Sequence, residues 1–151
     1  MAIKLGLDAR LYRNTGTPGR LLFEPVENVR DLTLNLETGE ADVSTRGNDG
    51  WRASLGTLKD ASIEFEMIWD GEDVDCIVLK DAFFTGSPIE LLVMDGDAGD
   101  VDSQGLLALC QITNFTRSES LEEAVTVSIT AKPTYSSSPP TWVLGPIEFD
   151  A

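Results

Sequence analysis

The segment Ala61-Ser-Ile-Glu-Phe-Glu-Met-Ile-Trp69 alternates between apolar and polar side chains. In an extended strand, successive side chains point to opposite faces, so a period of two indicates one buried face and one face in water. The apolar face carries Ile63, Phe65, Met67 and Trp69. The opposite face carries Ser62, Glu64 and Glu66, with Ile68 as the exception. This segment therefore predicts a half-buried strand whose wet face is acidic.

The same alternation recurs elsewhere in the chain. Leu32, Leu34 and Leu36 alternate with polar residues, as do Val125, Val127 and Ile129. Repeated half-buried strands predict a mainly β protein, an antiparallel β-sandwich or partly open barrel. Strands of this kind present a surface, and the pattern gives no sign of a catalytic cleft.

The composition limits the class of function. The chain has 151 residues, a length that suits a single domain over residues 1–151, and a net charge of −15. Such a charge argues against binding nucleic acid through a basic patch and against anionic membranes. The chain has no histidine, which removes the commonest general base and the usual zinc ligand. We therefore expect no enzymatic activity and no cofactor.

Two cysteines, Cys76 and Cys110, are too few for a disulfide framework and are interpreted as buried thiols in a reducing cytosol. A disulfide between them is the alternative. The N-terminus lacks a signal-peptide pattern, and no apolar run approaches the roughly 20 residues of a membrane span.

Further strands are predicted from about Leu5 to Tyr12, in the short stretch Leu21 to Phe23, from Val29 to Thr38, from Leu58 to Trp69, from Ile89 to Met94, from Leu106 to Thr116 and from Ala124 to Pro133. One helix of about 11 residues is predicted after Asp70–Asp73, with Gly86 past its end and Pro88 preventing continuation. The helix has Cys76, Leu79, Ala82 and Phe83 on one face.

Two segments interrupt the strand pattern. Residues Gly39 to Gly56 form a glycine-rich stretch with several charges and one tryptophan, too long for an ordinary hairpin turn. The segment from Tyr135 to Ala151 is rich in proline and serine and is predicted to be an extended C-terminal arm. A third, acidic segment from Asp95 to Asp102 fails the EF-hand spacing, so a solvated turn is favoured and metal binding stays open.

Five pieces of the chain, in order, resemble the tail tube (major tail) proteins of long-tailed phages. They are Leu7-Asp-Ala-Arg-Leu-Tyr-Arg-Asn-Thr-Gly16, Val29-Arg-Asp-Leu-Thr-Leu-Asn35, Arg46-Gly-Asn-Asp-Gly-Trp-Arg52, Thr57-Leu-Lys-Asp-Ala-Ser-Ile-Glu-Phe-Glu66 and Ala131-Lys-Pro-Thr-Tyr135. The resemblance implies a β-sandwich subunit with one flanking helix. It also implies rings of six subunits, in which one sheet of each subunit joins a continuous barrel around a lumen that conducts DNA.

The resemblance implies stacking between rings through the loop Gly39 to Gly56, whose candidate contact residues are Asp42, Arg46, Asp49, Trp51 and Arg52. Expected partners are further copies of the chain and other tail proteins such as the tape measure and the terminator, in a virion tail made in the host cytoplasm. DNA is expected to pass through the lumen without specific binding, and no membrane partner is expected.

The lumen-facing residues are assigned from alternation instead, as Glu37, Glu64 and Glu66. The alternative interpretation is a monomeric acidic β-sandwich binding module.

Overall fold

The computed structural model describes residues 3–16, 22–136 and 138–148. In these ranges the chain forms eight strands, an α-helix and two short 3-10 helices at residues 6–8 and 46–48. The strands are β1 (Arg10–Asn14), β2 (Phe23–Pro25), β3 (Val29–Asp42), β4 (Ser54–Ile68), β5 (Ile89–Met94), β6 (Gln104–Ser118), β7 (Thr126–Pro133) and β8 (Thr141–Leu144). The helix, α1, is Val74–Thr85. The mainly β class with one flanking helix is therefore confirmed.

All strand pairings are antiparallel, and the strands follow the order β2-β1-β5-β6-β7-β4-β3. The long strand β6 connects two layers: its first half pairs with β5 and β8, and its second half pairs with β7. A register shift between Ile112 and Asn114 interrupts the β6–β7 ladder. Bulges of this kind bend a strand, which suits a strand that passes from one layer to the other. Among the described residues the sheet does not close on itself within one subunit, because its end strands β2 and β3 do not pair with each other.

The main core lies between these two layers. Its fully buried side chains include Ile63, Met67, Leu79, Leu91 and Val127, each no more than 1% exposed. These residues come from β4, α1, β5 and β7, so the core depends on contacts between segments that are distant in sequence. Every second residue of β4 from Ala61 to Met67 is buried, as its alternation predicts.

Helix α1 begins and ends where the sequence predicts. The Asp73 carboxylate accepts a hydrogen bond from the backbone N–H of Cys76, which is an N-cap. Gly86 follows the helix in the left-handed conformation with φ of 72°, where a side chain would be strained. Cys76, Leu79 and Ala82 are buried, whereas Phe83 is 39% exposed. No helix within the described ranges is long and apolar enough to cross a membrane.

A smaller core lies on the opposite face of the β1–β5 layer and contains Tyr12, Phe23, Leu92, Met94 and Ala98. The C-terminal segment packs against it through Val143 and Ile147. The tail, predicted as an extended arm, thus returns in part to the sheet, because Thr141–Leu144 form β8 against β6. Backbone hydrogen bonds of Gly145 to Ser103 and of Ile147 to Ala98 continue the attachment.

Two predicted elements differ from the structure near the N-terminus. The predicted strand from Leu5 begins only at Arg10, since residues 6–8 form a 3-10 helix whose leucine, Leu7, is 86% exposed. Leu5 and Leu7 alternate with polar residues but have no core surface to contact. The short predicted strand at 21–23 is β2, Phe23–Pro25; residue 21 lies outside the described residues.

Candidate assembly surfaces

The polar face of the β3–β4–β7 layer is continuous across three strands. Glu64 lies opposite Thr33 of β3 and Thr130 of β7, and Glu66 lies opposite Ser128. Because residues opposite each other in an antiparallel pair share a face, these side chains form one surface. Its members are Thr33, Asn35, Glu37, Asp60, Ser62, Glu64, Glu66, Ser128 and Thr130. The three predicted lumen residues therefore lie on the same sheet face.

This polar face is acidic but not uniformly so. The Arg30 guanidinium lies 3.7 Å from the Glu66 carboxylate, and Lys132, opposite Gln111, adds a second cation at its margin. Glu37 lies directly opposite Asp60. Like charges in that position repel each other, so this part of the sheet favours solvation or cations over a packed contact.

Strands β3 and β4 continue beyond the rest of the sheet as a two-stranded arm. On the N-terminal side of Ile63, β4 pairs only with β3 among the described residues, and its residues 54–60 are all exposed. The loop between the two strands is therefore shorter than the predicted Gly39 to Gly56, because β3 runs to Asp42 and β4 starts at Ser54. The alternation rule missed these strand ends because both faces of the arm are in water and no core side selects apolar residues.

The tip of the arm, residues 43–53, has an ordered turn. Val43 donates a backbone hydrogen bond to Ala53, and the Ala53 N–H donates to the Ser44 hydroxyl. Asp42 accepts from the Ser44 N–H, and hydrogen bonding by Ser44 lowers the pKa of the Asp42 carboxyl. Asp49 adopts the left-handed conformation with φ of 52°, and asparagine and aspartate tolerate it better than most residues.

The five predicted stacking residues all belong to this arm. Asp42 ends β3, and Arg46 lies in the 3-10 turn. Asp49, Trp51 and Arg52 follow it, and the Trp51 side chain is 79% exposed. Tryptophan and arginine are enriched among interface anchors, so Trp51 beside Arg52 makes this tip a candidate contact surface.

In the part of the chain that the structure describes, the main strand path ends in the edge strands β2 and β3, and β8, which pairs only with β6, is a further edge. Within the described residues, the outer edge of β3 has no strand partner over its 14 residues. A groove of about 1090 Å³ separates its start from β1, lined by residues that include Leu11, Val26, Arg30 and Leu32. A long unpaired edge beside an open groove is the geometry that allows a sheet to continue into another subunit.

The acidic segment 95–102 is a hydrogen-bonded turn. The Asp95 carboxylate accepts from the Gln104 N–H, the Asp97 carboxylate accepts from the Gly99 N–H, and Asp102 forms an ion pair with Lys4. In the described part of the chain, no three acidic, cysteine or histidine side chains are grouped so that they could hold a metal ion. The segment is a turn, as favoured from the sequence, but it is not solvated throughout, because Ala98 is buried in the smaller core.

Both cysteines are free and buried. Burial raises the pKa of both thiols, that of Cys110 to about 12. Their positions in the main core agree with the interpretation as small apolar side chains.

Comparison with known structures agrees with the fold described above. The tail subunit of an empty gene transfer agent particle, refined with C6 symmetry, matches with a TM-score of 0.71 and 17% identity over 95% of this chain and 99% of that chain. The SPP1 tail tube protein matches with a TM-score of 0.74 and 15% identity over 98% of this chain and 81% of that chain. A subunit of the native gene transfer agent virion matches with a TM-score of 0.69 and 19% identity, covering 93% and 99% of the two chains.

No protein of curated function matches the chain significantly. The family model described as phage tail tube protein matches residues 8–134, which include β1 to β7 and α1. This range contains the polar face, the arm and the open β3 edge. The chain therefore belongs to the phage tail tube protein family and is a structural subunit of a tail tube.

Proposed function

We propose that six copies of this subunit form a ring, that rings stack into a hollow tube, and that the polar face with Glu37, Glu64 and Glu66 lines the lumen. DNA would pass through this lumen during ejection. The observation that carries the proposal is an acidic, continuous sheet face that ends in the 14-residue strand β3, whose outer edge has no strand partner among the described residues. The similar gene transfer agent tail, whose refinement used C6 symmetry, supports the ring of six.

The physical argument starts from the open edge. An unpaired edge strand exposes a row of backbone donors and acceptors, and closing the sheets of several subunits into a barrel removes all such edges. The polar face of β3 and β4 then turns inward, because the apolar face already packs on the subunit core. An anionic wall repels phosphates at short range, and salt limits that repulsion to about 10 Å, so DNA slides without binding.

The arm supplies the proposed contact between rings. Among the described residues, its two strands pair with each other alone and their outer parts have no buried side chain, and isolated hairpins are marginally stable in water. Docking on a neighbouring ring would stabilise it and bury Trp51. We therefore place Asp42, Arg46, Asp49, Trp51 and Arg52 in this contact.

The family supports a structural role without catalysis. It also favours the tail tube over a monomeric acidic binding module. Other tail proteins, such as the tape measure and the terminator, are proposed as further partners at the lumen and at the tube end, and the virion tail is the proposed location.

Cryo-electron microscopy of the purified protein tests the ring and the lumen. We expect hollow tubes with sixfold symmetry in which Glu64 and Glu66 face the channel. Dispersed globules at all concentrations would support the monomeric module instead, and a map with both carboxylates on the outer wall would refute the lumen assignment.

Charge reversal tests the role of the acidic wall. The double change Glu64→Lys and Glu66→Lys should leave the fold intact. Glu64 is exposed, where substitutions usually change stability by less than about 0.5 kcal/mol. Glu66 is half-buried, and loss of its ion pair with Arg30 should cost no more than about 1 kcal/mol. Tails that contain the double change should eject DNA more slowly, since lysines bind phosphates. The matched control reverses two exposed carboxylates away from this face, Glu24→Lys and Asp81→Lys, and should eject at the normal rate.

Replacement of residues 42–51 by a Gly-Ser linker tests the arm. The subunit should keep its circular dichroism spectrum, because residues 42–51 contribute nothing to either core cluster. Long tubes should no longer form. Tubes of normal length from this variant would exclude the arm from ring stacking and direct attention to the terminal segments.

A further inference from the structure

The β3–β4–β7 layer has two ends of different chemistry. The arm tip, residues 43–53, projects at one end of β3 and β4. At the other end, the Ile68 N–H donates to Asn28 and the Trp69 N–H donates to Val125. The second of these hydrogen bonds places the loop 69–73 beside the loop 119–125, and we call these two loops the far end.

The far end is apolar in part and strongly acidic. Leu121 is fully exposed, and Val74, which begins α1 directly after the first loop, is 63% exposed. Its two loops carry carboxylates and no cationic side chain. The carboxylates are Asp70, Glu72, Asp73, Glu119, Glu122 and Glu123.

The neighbouring cation Arg117 does not neutralise this surface. It forms an ion pair with Glu119, and its guanidinium lies 5.7 Å from the centre of the Trp69 ring. Glu122 and Glu123 are both exposed, and within the described residues neither takes part in an ion pair. The far end thus presents apolar side chains with uncompensated negative charge around them.

The arm tip has the complementary character. It carries two cationic side chains, Arg46 and Arg52, and one acidic side chain, Asp49, whereas the whole chain has a net charge of −15. Within the described residues, neither arginine takes part in an ion pair. Trp51, 79% exposed, lies between Gly50 and Arg52. Tryptophan and arginine are the residues most enriched among interface anchors.

We infer that the far end of one subunit is the receptor for the arm tip of a second copy in the adjacent ring. Trp51 contacts the apolar side chains Leu121 and Val74, and Arg46 and Arg52 face the carboxylates of loop 119–125. This inference rests on the proposed stacking of rings and assigns the surface on which the arm docks. A head-to-tail contact of this kind uses two different patches of the same chain, so it repeats without limit along an axis.

The charges have a defined task in this contact. Exposed ion pairs contribute little affinity, but complementary patches direct the encounter and fix the register of the partners. The rest of the subunit is so acidic that two copies repel each other in most orientations. When the cationic tip of one copy faces the acidic far end of another, the electrostatic interaction between these two surfaces is attractive.

A charge exchange tests the pairing. The tip variant (Arg46→Glu, Arg52→Glu) and the far-end variant (Glu122→Lys, Glu123→Lys) should each form tubes about tenfold more slowly at low salt, as judged by light scattering and negative-stain microscopy. The chain with all four changes should recover close to the wild-type rate, because the two patches are complementary again. An equimolar mixture of the two double variants should also assemble faster than either alone.

The matched control combines the tip variant with Glu24→Lys and Asp81→Lys, which gives the same net charge as the fourfold variant but leaves the far end acidic. It should remain slow. Circular dichroism of each subunit separates misfolding from loss of assembly.

Two results would overturn the inference while leaving the tube itself intact: normal assembly of the tip variant, or a folded fourfold variant no faster than the control. Wild-type protein that forms no tubes under any condition would instead refute the proposed function, and the inference with it.

Discussion

Ile63 and Glu64 are neighbours in β4 and give the sharpest test of the reasoning. Ile63 is completely buried and belongs to the main core, whereas Glu64 lies on the polar face opposite Thr33 and Thr130. The perturbation is to shorten each to alanine, one at a time. Although the two residues are adjacent in sequence, we expect a large loss of stability for Ile63→Ala and almost none for Glu64→Ala.

The magnitude follows from burial. Ile63→Ala removes three carbon groups from the core at about 0.8 kcal/mol each, or about 2.4 kcal/mol, before any cost of the cavity. Large-to-small changes of this kind cost about 2–5 kcal/mol in total. Glu64→Ala removes an exposed side chain and should change the free energy of unfolding by less than about 0.5 kcal/mol. For a chain of this size the first change lowers Tm by roughly 2–4 °C per kcal/mol, and the second leaves it nearly unchanged.

The assay is urea unfolding followed by tryptophan fluorescence, at a protein concentration at which sedimentation shows a monomer. Monomeric protein is required because assembly would add to the apparent stability. Equal losses for the two variants would refute the assignment of β4 faces, and so would a loss below about 0.5 kcal/mol for Ile63→Ala.

Two further predictions concern the core. Gly105→Ala should destabilise by at least about 1–3 kcal/mol, because its Cβ would overlap the Val93 carbonyl oxygen. Gly6→Ala, with open space around it, should have little effect in the same urea assay. Burial raises the pKa of the Cys110 thiol from 9.0 to about 12, so the thiol ionises at a lower pH in the unfolded chain than in the folded one. Between those two pH values the free energy of unfolding therefore falls by up to about 1.4 kcal/mol per pH unit. Cys110→Ala should remove this contribution, seen as a shallower loss of stability above pH 9; an unchanged pH profile would contradict it.

The sequence by itself determined the mainly β class, the helix and the two faces of the central strands. Alternation in β4 identified Ile63, Phe65 and Met67 as buried because a half-buried strand requires that pattern wherever one face meets a core. Helix α1 could be placed from Asp73 and Gly86 because caps are local and act through their own backbone.

Only the tertiary structure decided where the strands end and what they meet. The outer ends of β3 and β4, which form the arm, and the strand β8 escaped prediction because their residues face water or a small secondary core, so no repeating apolar pattern marks them. The far end could not be predicted from the sequence either, because its two loops are distant along the chain. They lie side by side through the backbone hydrogen bond from Trp69 to Val125. Alternation records which side of a strand is buried, whereas the neighbours of a strand depend on contacts between distant segments that only the folded chain creates.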